Sequence, residues 1–110
     1  LTVILALSYS GRTEIVDAVK QIVKEARDGK LSEDEITQEF FSARLDTRNY
    51  PDPDLLIRTS GEMRVSNFLL CQLSYTEIHV AECLWPDFGK TEFFSAIVDY
   101  QGRSRRYGGI

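Results

Sequence analysis

The chain has 110 residues, 43% hydrophobic and 27% charged, the make-up of one folded globular domain and not of a disordered or fibrous polypeptide. A formal net charge of −4 argues against non-specific nucleic-acid binding, which needs a basic face, but leaves a small phosphate pocket open. No run approaches the roughly 18 apolar residues of a membrane span, and Cys71 and Cys83, without CxxC or histidine-pair spacing, read as buried thiols.

Leu1 to Leu7 is a nearly continuous apolar run, the pattern of a strand covered on both faces, and a chain that opens in mid-sheet reads as a piece of a larger fold. Ser8-Tyr9-Ser10-Gly11-Arg12 is a turn-rich loop. Beyond it Ile15, Val16, Val19, Ile22, Val23 and Ala26 recur at three- and four-residue spacing, which predicts a helix closing near Gly29. Ser32 with Glu35 three positions on is a capping box, and a second helix is expected up to Leu45.

Pro51-Asp52-Pro53 interrupts any helix, Asp54–Arg58 follows as a short strand, and Thr59–Glu62 is its exit loop. Ser66 to Tyr75 suits a helix capped by Ser66, Glu77 to Ala81 a third strand, and Lys90 to Tyr100 a last helix, with Trp85 and Phe88 packing that helix onto the sheet. An exposed basic tail ends the chain. Strands alternating with helices predict an α/β fold, a mainly parallel sheet flanked by helices.

In such sheets ligands bind beyond the carboxyl ends of the strands. There Arg58 ends a strand, Gly61 permits a tight turn, and Arg64 and Ser66 precede the expected helix. Two guanidinium forks, a hydroxyl and the free N–H groups of a helix N-terminus suit a diphosphate. The residues alone equally allow ordinary ion pairs of Arg58 and Arg64 with Asp54 or Glu62, and Ser66 as a simple cap. His79 alternates with apolar neighbours and is read as a packed residue without a role.

Arg58-Thr59-Ser60-Gly61-Glu62 followed by Arg64-x-Ser66-Asn67-Phe68-Leu69-Leu70 resembles the signature of the cis-prenyltransferases, the undecaprenyl diphosphate synthase family. Ser8–Arg12, Tyr75-Thr76-Glu77, Leu84–Phe88 and Arg105–Gly109 resemble further blocks of that family in the same order. The resemblance implies that residues 1–110 are the C-terminal portion of a single catalytic domain, and that the enzyme condenses isopentenyl or dimethylallyl diphosphate with an allylic diphosphate.

By the same resemblance Arg58, Arg64 and Ser66 bind a substrate diphosphate, Gly61 and Glu62 shape the loop, and Arg106 and Gly108 reach the same diphosphate across a dimer interface. Ser8 stands near the reacting centre, where bacterial members carry asparagine, and its loop looks more like plant enzymes. Glu77 resembles a carboxylate that holds Mg²⁺, although Met63 stands where bacterial members often have histidine, and a thioether suits Mg²⁺ poorly.

The family's aspartate loop for the allylic diphosphate does not occur in these residues. The chain by itself is therefore expected to be inactive without an N-terminal segment or companion N-terminal chain. A homodimer is expected, because Phe68, Leu69, Phe93 and Phe94 exceed what a small sheet buries. Membrane association is expected only through the product, and the location as cytoplasm or plastid stroma. The alternative reading is a non-catalytic partner subunit of a cis-prenyltransferase heteromer.

Overall fold

The computed structural model describes residues 1–109. The chain divides into two compact units, one of Leu1–Pro51 with Asn67–Leu70, the other of Asp52–Ser66 with the residues from Cys71 onward.

The first unit is built on α1, Gly11–Arg27. Helix N-termini expose N–H groups without intrahelical partners, and here each finds one. Gly11 N donates to Asn67 O at 2.8 Å, Arg12 N to Asn67 Oδ1 at 2.9 Å, and Thr13 N to Ser10 Oγ at 3.3 Å. The approach requires glycine at position 11, since a Cβ there would lie 2.9 Å from Leu70 Cγ. The helix ends before Gly29, whose φ of +73° is the left-handed conformation that favours glycine.

The buried face of α1 is Gly11, Glu14 and Ala18, while Val16, Val19 and Val23 of the expected core stripe are exposed. Glu14 draws its face inward: its carboxylate accepts from Tyr9 Oη at 2.5 Å and from Asp46 N at 2.7 Å.

The expected second helix is divided. The Ser32–Glu35 box forms, with Ser32 N donating to Glu35 Oε2 at 3.2 Å, but it opens only a 3₁₀ turn, Glu33–Glu35. Thr37 then starts α2, Gln38–Ser42, by accepting from Phe40 N at 3.1 Å. Arg44 bonds Glu25 at 2.7 Å and lies 3.4 Å from the Phe40 ring centroid, tying this segment to α1 over buried Leu45.

The second unit holds a two-stranded parallel sheet, β1 at Leu55–Arg58 and β2 at Glu77–Val80, in register from Leu55 with Glu77 to Arg58 with Val80. The final helix α3, Lys90–Gln101, buries Ala96. This is the expected α/β pattern of parallel strands and helices.

Further expectations are corrected. Leu1–Leu7 is exposed, has no regular secondary structure and pairs with no strand among the described residues; without a ladder its backbone groups form no sheet. Residues 66–75 form turns instead of a helix, with Ser66, Asn67 and Leu69 at φ 51°, 61° and 48°. The bonds from Asn67 to the start of α1 hold that segment out of helical geometry. Trp85, 72% exposed, stacks on Phe88 at 5.9 Å instead of burying itself under α3. Cys71 and Cys83 are free thiols, half-buried and not fully enclosed. Among the described residues no helix is long and apolar enough to cross a membrane.

Candidate active site

Arg58 is the last residue of β1, so its side chain leaves the carboxyl end of the sheet. The chain then turns through Ser60 and Gly61, both at φ 65°. Ser60 N donates to Cys83 O at 2.8 Å and Gly61 N to Ala81 O at 3.0 Å, which extends the β1–β2 pairing into the loop. These N–H groups are committed to the backbone. A Cβ at position 61 would lie 2.7 Å from Glu82 Oε2, a second reason for glycine besides the positive φ.

Beyond this turn Glu62 Oε2 accepts from Arg58 Nη2 at 3.0 Å and from Arg64 Nη2 at 2.9 Å. The side chains of Arg58, Glu62 and Arg64 are 35%, 36% and 73% exposed. The arginines thus converge on one anionic oxygen at a solvent-accessible edge. Ser66 follows in the same loop, but it caps no helix, so the expected helix N-terminal donors are absent from this segment.

The terminal motif lies at the other end of the strands. Arg105 bonds Asp54 Oδ1 at 2.6 Å and Tyr75 O at 3.0 Å, and these residues precede β1 and β2. The Asp54 carboxylate raises the Arg105 guanidinium above its ordinary pKa. Arg106 is exposed, Gly108 has a φ of 81°, and Gly109 N closes a turn on Arg106 O at 2.7 Å.

Glu77 begins β2 and pairs with Arg103 Nη1 at 3.0 Å. Arg103 also bonds Asp99 Oδ2 at 2.7 Å, and that oxygen meets His79 Nδ1 at 2.7 Å. A carboxylate only accepts, so the His79 proton sits on Nδ1. Bonds from His79 and then Arg103 hold the Asp99 carboxyl below its ordinary pKa. Among the described residues no three His, Cys, Asp or Glu side chains converge as a metal site. With Arg103 already on its carboxylate, Glu77 does not fit a metal ligand set built from this chain's residues.

Ser8 belongs to the first unit, exposed and at φ 53°, an uncommon conformation for a residue other than glycine. It borders a cleft of about 490 Å³ lined by Ile4, Leu5, Leu7, Tyr9 and Phe68. Burial, and then the Glu14 hydrogen bond, push the Tyr9 hydroxyl pKa up.

Three residues carry contacts that their sequence context does not announce: Arg103, Arg105, and Asn67, which bonds the first N–H groups of α1 beside the Ser10 cap. The four-residue spacing from Asp99, on α3, to Arg103, two residues past the end of that helix, was the available signal for the first.

The family model Prenyltransf, which describes the undecaprenyl diphosphate synthases, matches residues 1–108. The chain belongs to this prenyltransferase family. The family's isoprenyl transferase of Heliobacterium mobile is 58% identical over 106 residues, 96% of this chain and 41% of the relative. Dehydrodolichyl diphosphate synthase 4 of Arabidopsis thaliana is 51% identical over 107 residues, 96% of this chain and 37% of the relative. The crystal structure of lavandulyl diphosphate synthase from Lavandula x intermedia, in complex with dimethylallyl diphosphate, superposes with a TM-score of 0.91 at 40% identity, over 94% of this chain and 45% of that one. The chain therefore spans about two fifths of the length of the curated relatives it matches.

Proposed function

We propose that this chain is the C-terminal portion of a cis-prenyltransferase and supplies the grip on the diphosphate of isopentenyl diphosphate. The observation that carries this reading is the convergence of Arg58 and Arg64 on a single carboxylate oxygen at the carboxyl end of β1. Two guanidiniums within hydrogen-bond reach of one anionic oxygen suit a phosphate oxygen equally well. Ser66, four positions past Glu62, adds a hydroxyl in this reading, and Gly61 permits the turn that brings the two arginines together.

In the reaction the carbon–oxygen bond of an allylic diphosphate breaks, diphosphate leaves with the electron pair, and the double bond of isopentenyl diphosphate attacks the resulting cation-like carbon. A proton is then lost to restore a double bond. The contribution of this chain is to fix the attacking double bond by its diphosphate, so that the reacting carbons meet in line. Mg²⁺ belongs to this reading through the family and assists departure of the allylic diphosphate when bound. The residues present do not fit a cage for it, and no step here depends on it.

Arg106 and Gly108 belong to the same reading as a contribution to a second copy's site. Asp54 and Tyr75 hold the tail at the amino ends of β1 and β2, while Arg58 lies at the carboxyl end of β1, about 13 Å further along a strand. That separation favours action on a second copy over action on the same one. A homodimer accounts for exposed Phe93, Phe94 and the stripe Val16, Val19 and Val23, together more apolar surface than an isolated chain keeps in water. Residues 1–110 alone are inactive in this reading, and the exposed apolar Leu1–Leu7 segment is completed by a strand from another part of the enzyme. Cytoplasm or plastid stroma suits the free thiols.

The experiment is to supply the longest native protein with Mg²⁺, labelled isopentenyl diphosphate and dimethylallyl, geranyl or farnesyl diphosphate, and to analyse products by mass and double-bond geometry. Cis products that vanish in Arg58→Ala are expected. Coupling of two dimethylallyl units would assign an irregular product. No product from folded protein would favour a non-catalytic partner subunit instead.

A further inference from the structure

Three arginines lie close together in the C-terminal tail, and they have different fates. Arg103 is consumed by Glu77 and Asp99. The Arg105 side chain is 17% exposed. Its Nη1 donates to Asp54 Oδ1 at 2.6 Å and to Tyr100 Oη at 3.2 Å, its Nη2 donates to Tyr75 O at 3.0 Å, and the Tyr107 ring centroid lies 4.5 Å away. Arg106 is exposed and has no ion pair among the described residues.

A guanidinium presents donors in a rigid planar fork, so partners in different directions fix its orientation as well as its position. The Arg105 partners come from three places: the residue before β1, the segment before β2, and α3. The tail backbone at position 105 is thereby tied to the sheet. Immediately beyond it, Tyr107 at φ 47° and Gly108 at φ 81° make the turn that Gly109 N closes on Arg106 O.

We infer that Arg105 is a positioning residue that anchors the tail to the amino ends of β1 and β2 and so presents Arg106 and Gly108 in fixed orientation to a diphosphate bound by a second copy of this chain. The inference rests on the functional reading above and deepens it. Arg105 touches no substrate; it acts by lowering the disorder that Arg106 would lose on engaging an anion.

The test combines hydrogen exchange across residues 103–109 with steady-state kinetics of the full native protein. Arg105→Lys keeps the charge but not the fork, and Asp54→Asn leaves Arg105 intact while removing the negative charge from its closest partner. Each is expected to speed tail exchange and to raise KM for isopentenyl diphosphate, by about tenfold for Arg105→Lys and less for Asp54→Asn, with kcat within about twofold. Arg106→Ala should raise KM similarly without altering tail exchange. Faster tail exchange with unchanged KM would make Arg105 a purely structural latch and overturn the inference, as would unchanged exchange. An unchanged KM in Arg106→Ala would instead overturn the reading that the tail serves a diphosphate. If Arg105→Lys also loses protection in β1 and β2, Asp54→Asn decides the matter, because its carboxylate is largely exposed and its loss spares the core.

Discussion

Arg58 and Arg64 share one oxygen atom, Glu62 Oε2, at 3.0 and 2.9 Å. In the proposed function a phosphate oxygen would take the place of this carboxylate and compete with it. Removing Arg58 as Arg58→Ala should weaken binding of inorganic pyrophosphate by about tenfold or more. Glu62→Gln should tighten it by about threefold, since exposed pairs are weak and easily exchanged. Titration calorimetry reads both, and weaker binding in Glu62→Gln would mean that Glu62 orders the arginines more than it competes with their ligand.

Gly61 is constrained twice, by its φ of 65° and by Glu82 Oε2, which a Cβ would meet at 2.7 Å. Gly61→Ala should cost about 1–2 kcal/mol of stability, read as a lower midpoint in urea at unchanged slope. The Glu82 side chain can swing aside but the backbone conformation cannot, so Gly61→Ala with Glu82→Ala should recover only part of the loss.

The Asp99 carboxyl is held below its ordinary value of 3.8 by bonds from His79 and Arg103. A carboxyl with a depressed folded-state pKa adds stability that is present above the unfolded value and is lost as pH falls through the depressed one. As pH falls through and below the ordinary carboxylate range the native protein should therefore lose thermal stability more steeply than Asp99→Asn. Equal slopes would show that the His79–Asp99–Arg103 chain adds nothing to stability.

Asn67 stands at the start of α1, accepting from Arg12 N at 2.9 Å and donating from Nδ2 to Ser10 Oγ at 2.9 Å. Asn67→Ala should destabilise the start of α1 by about 1 kcal/mol. Amide exchange at Arg12 and Thr13 would rise while exchange in β1 and β2 stayed constant; uniform change across the chain would contradict a local capping role.

Patterns set by neighbouring residues are legible along the chain. α1 follows from its three- and four-residue spacing, β1 from a short apolar run, and β2 from apolar residues alternating with polar ones. The loop Arg58–Ser66 stands out because two arginines, a glycine and two serines fall within nine positions. The helix expected at 66–75 does not form, because Asn67 bonds to α1 across 55 positions of chain, and that tie outweighs local preference.

The sequence by itself determined the family, the alternation of strands and helices, and the gathering of Arg58, Gly61, Glu62 and Arg64 in one loop, because these depend on residue type and short spacing. Only the tertiary structure decided that Glu62 already occupies the two guanidiniums, that Arg103 neutralises Glu77, and that Arg105 turns inward while Arg106 stays exposed. Each of these depends on which charged groups meet in space, and long flexible side chains choose among several partners that sequence distance does not rank. Folding removes that choice by fixing the backbone positions from which the groups must reach.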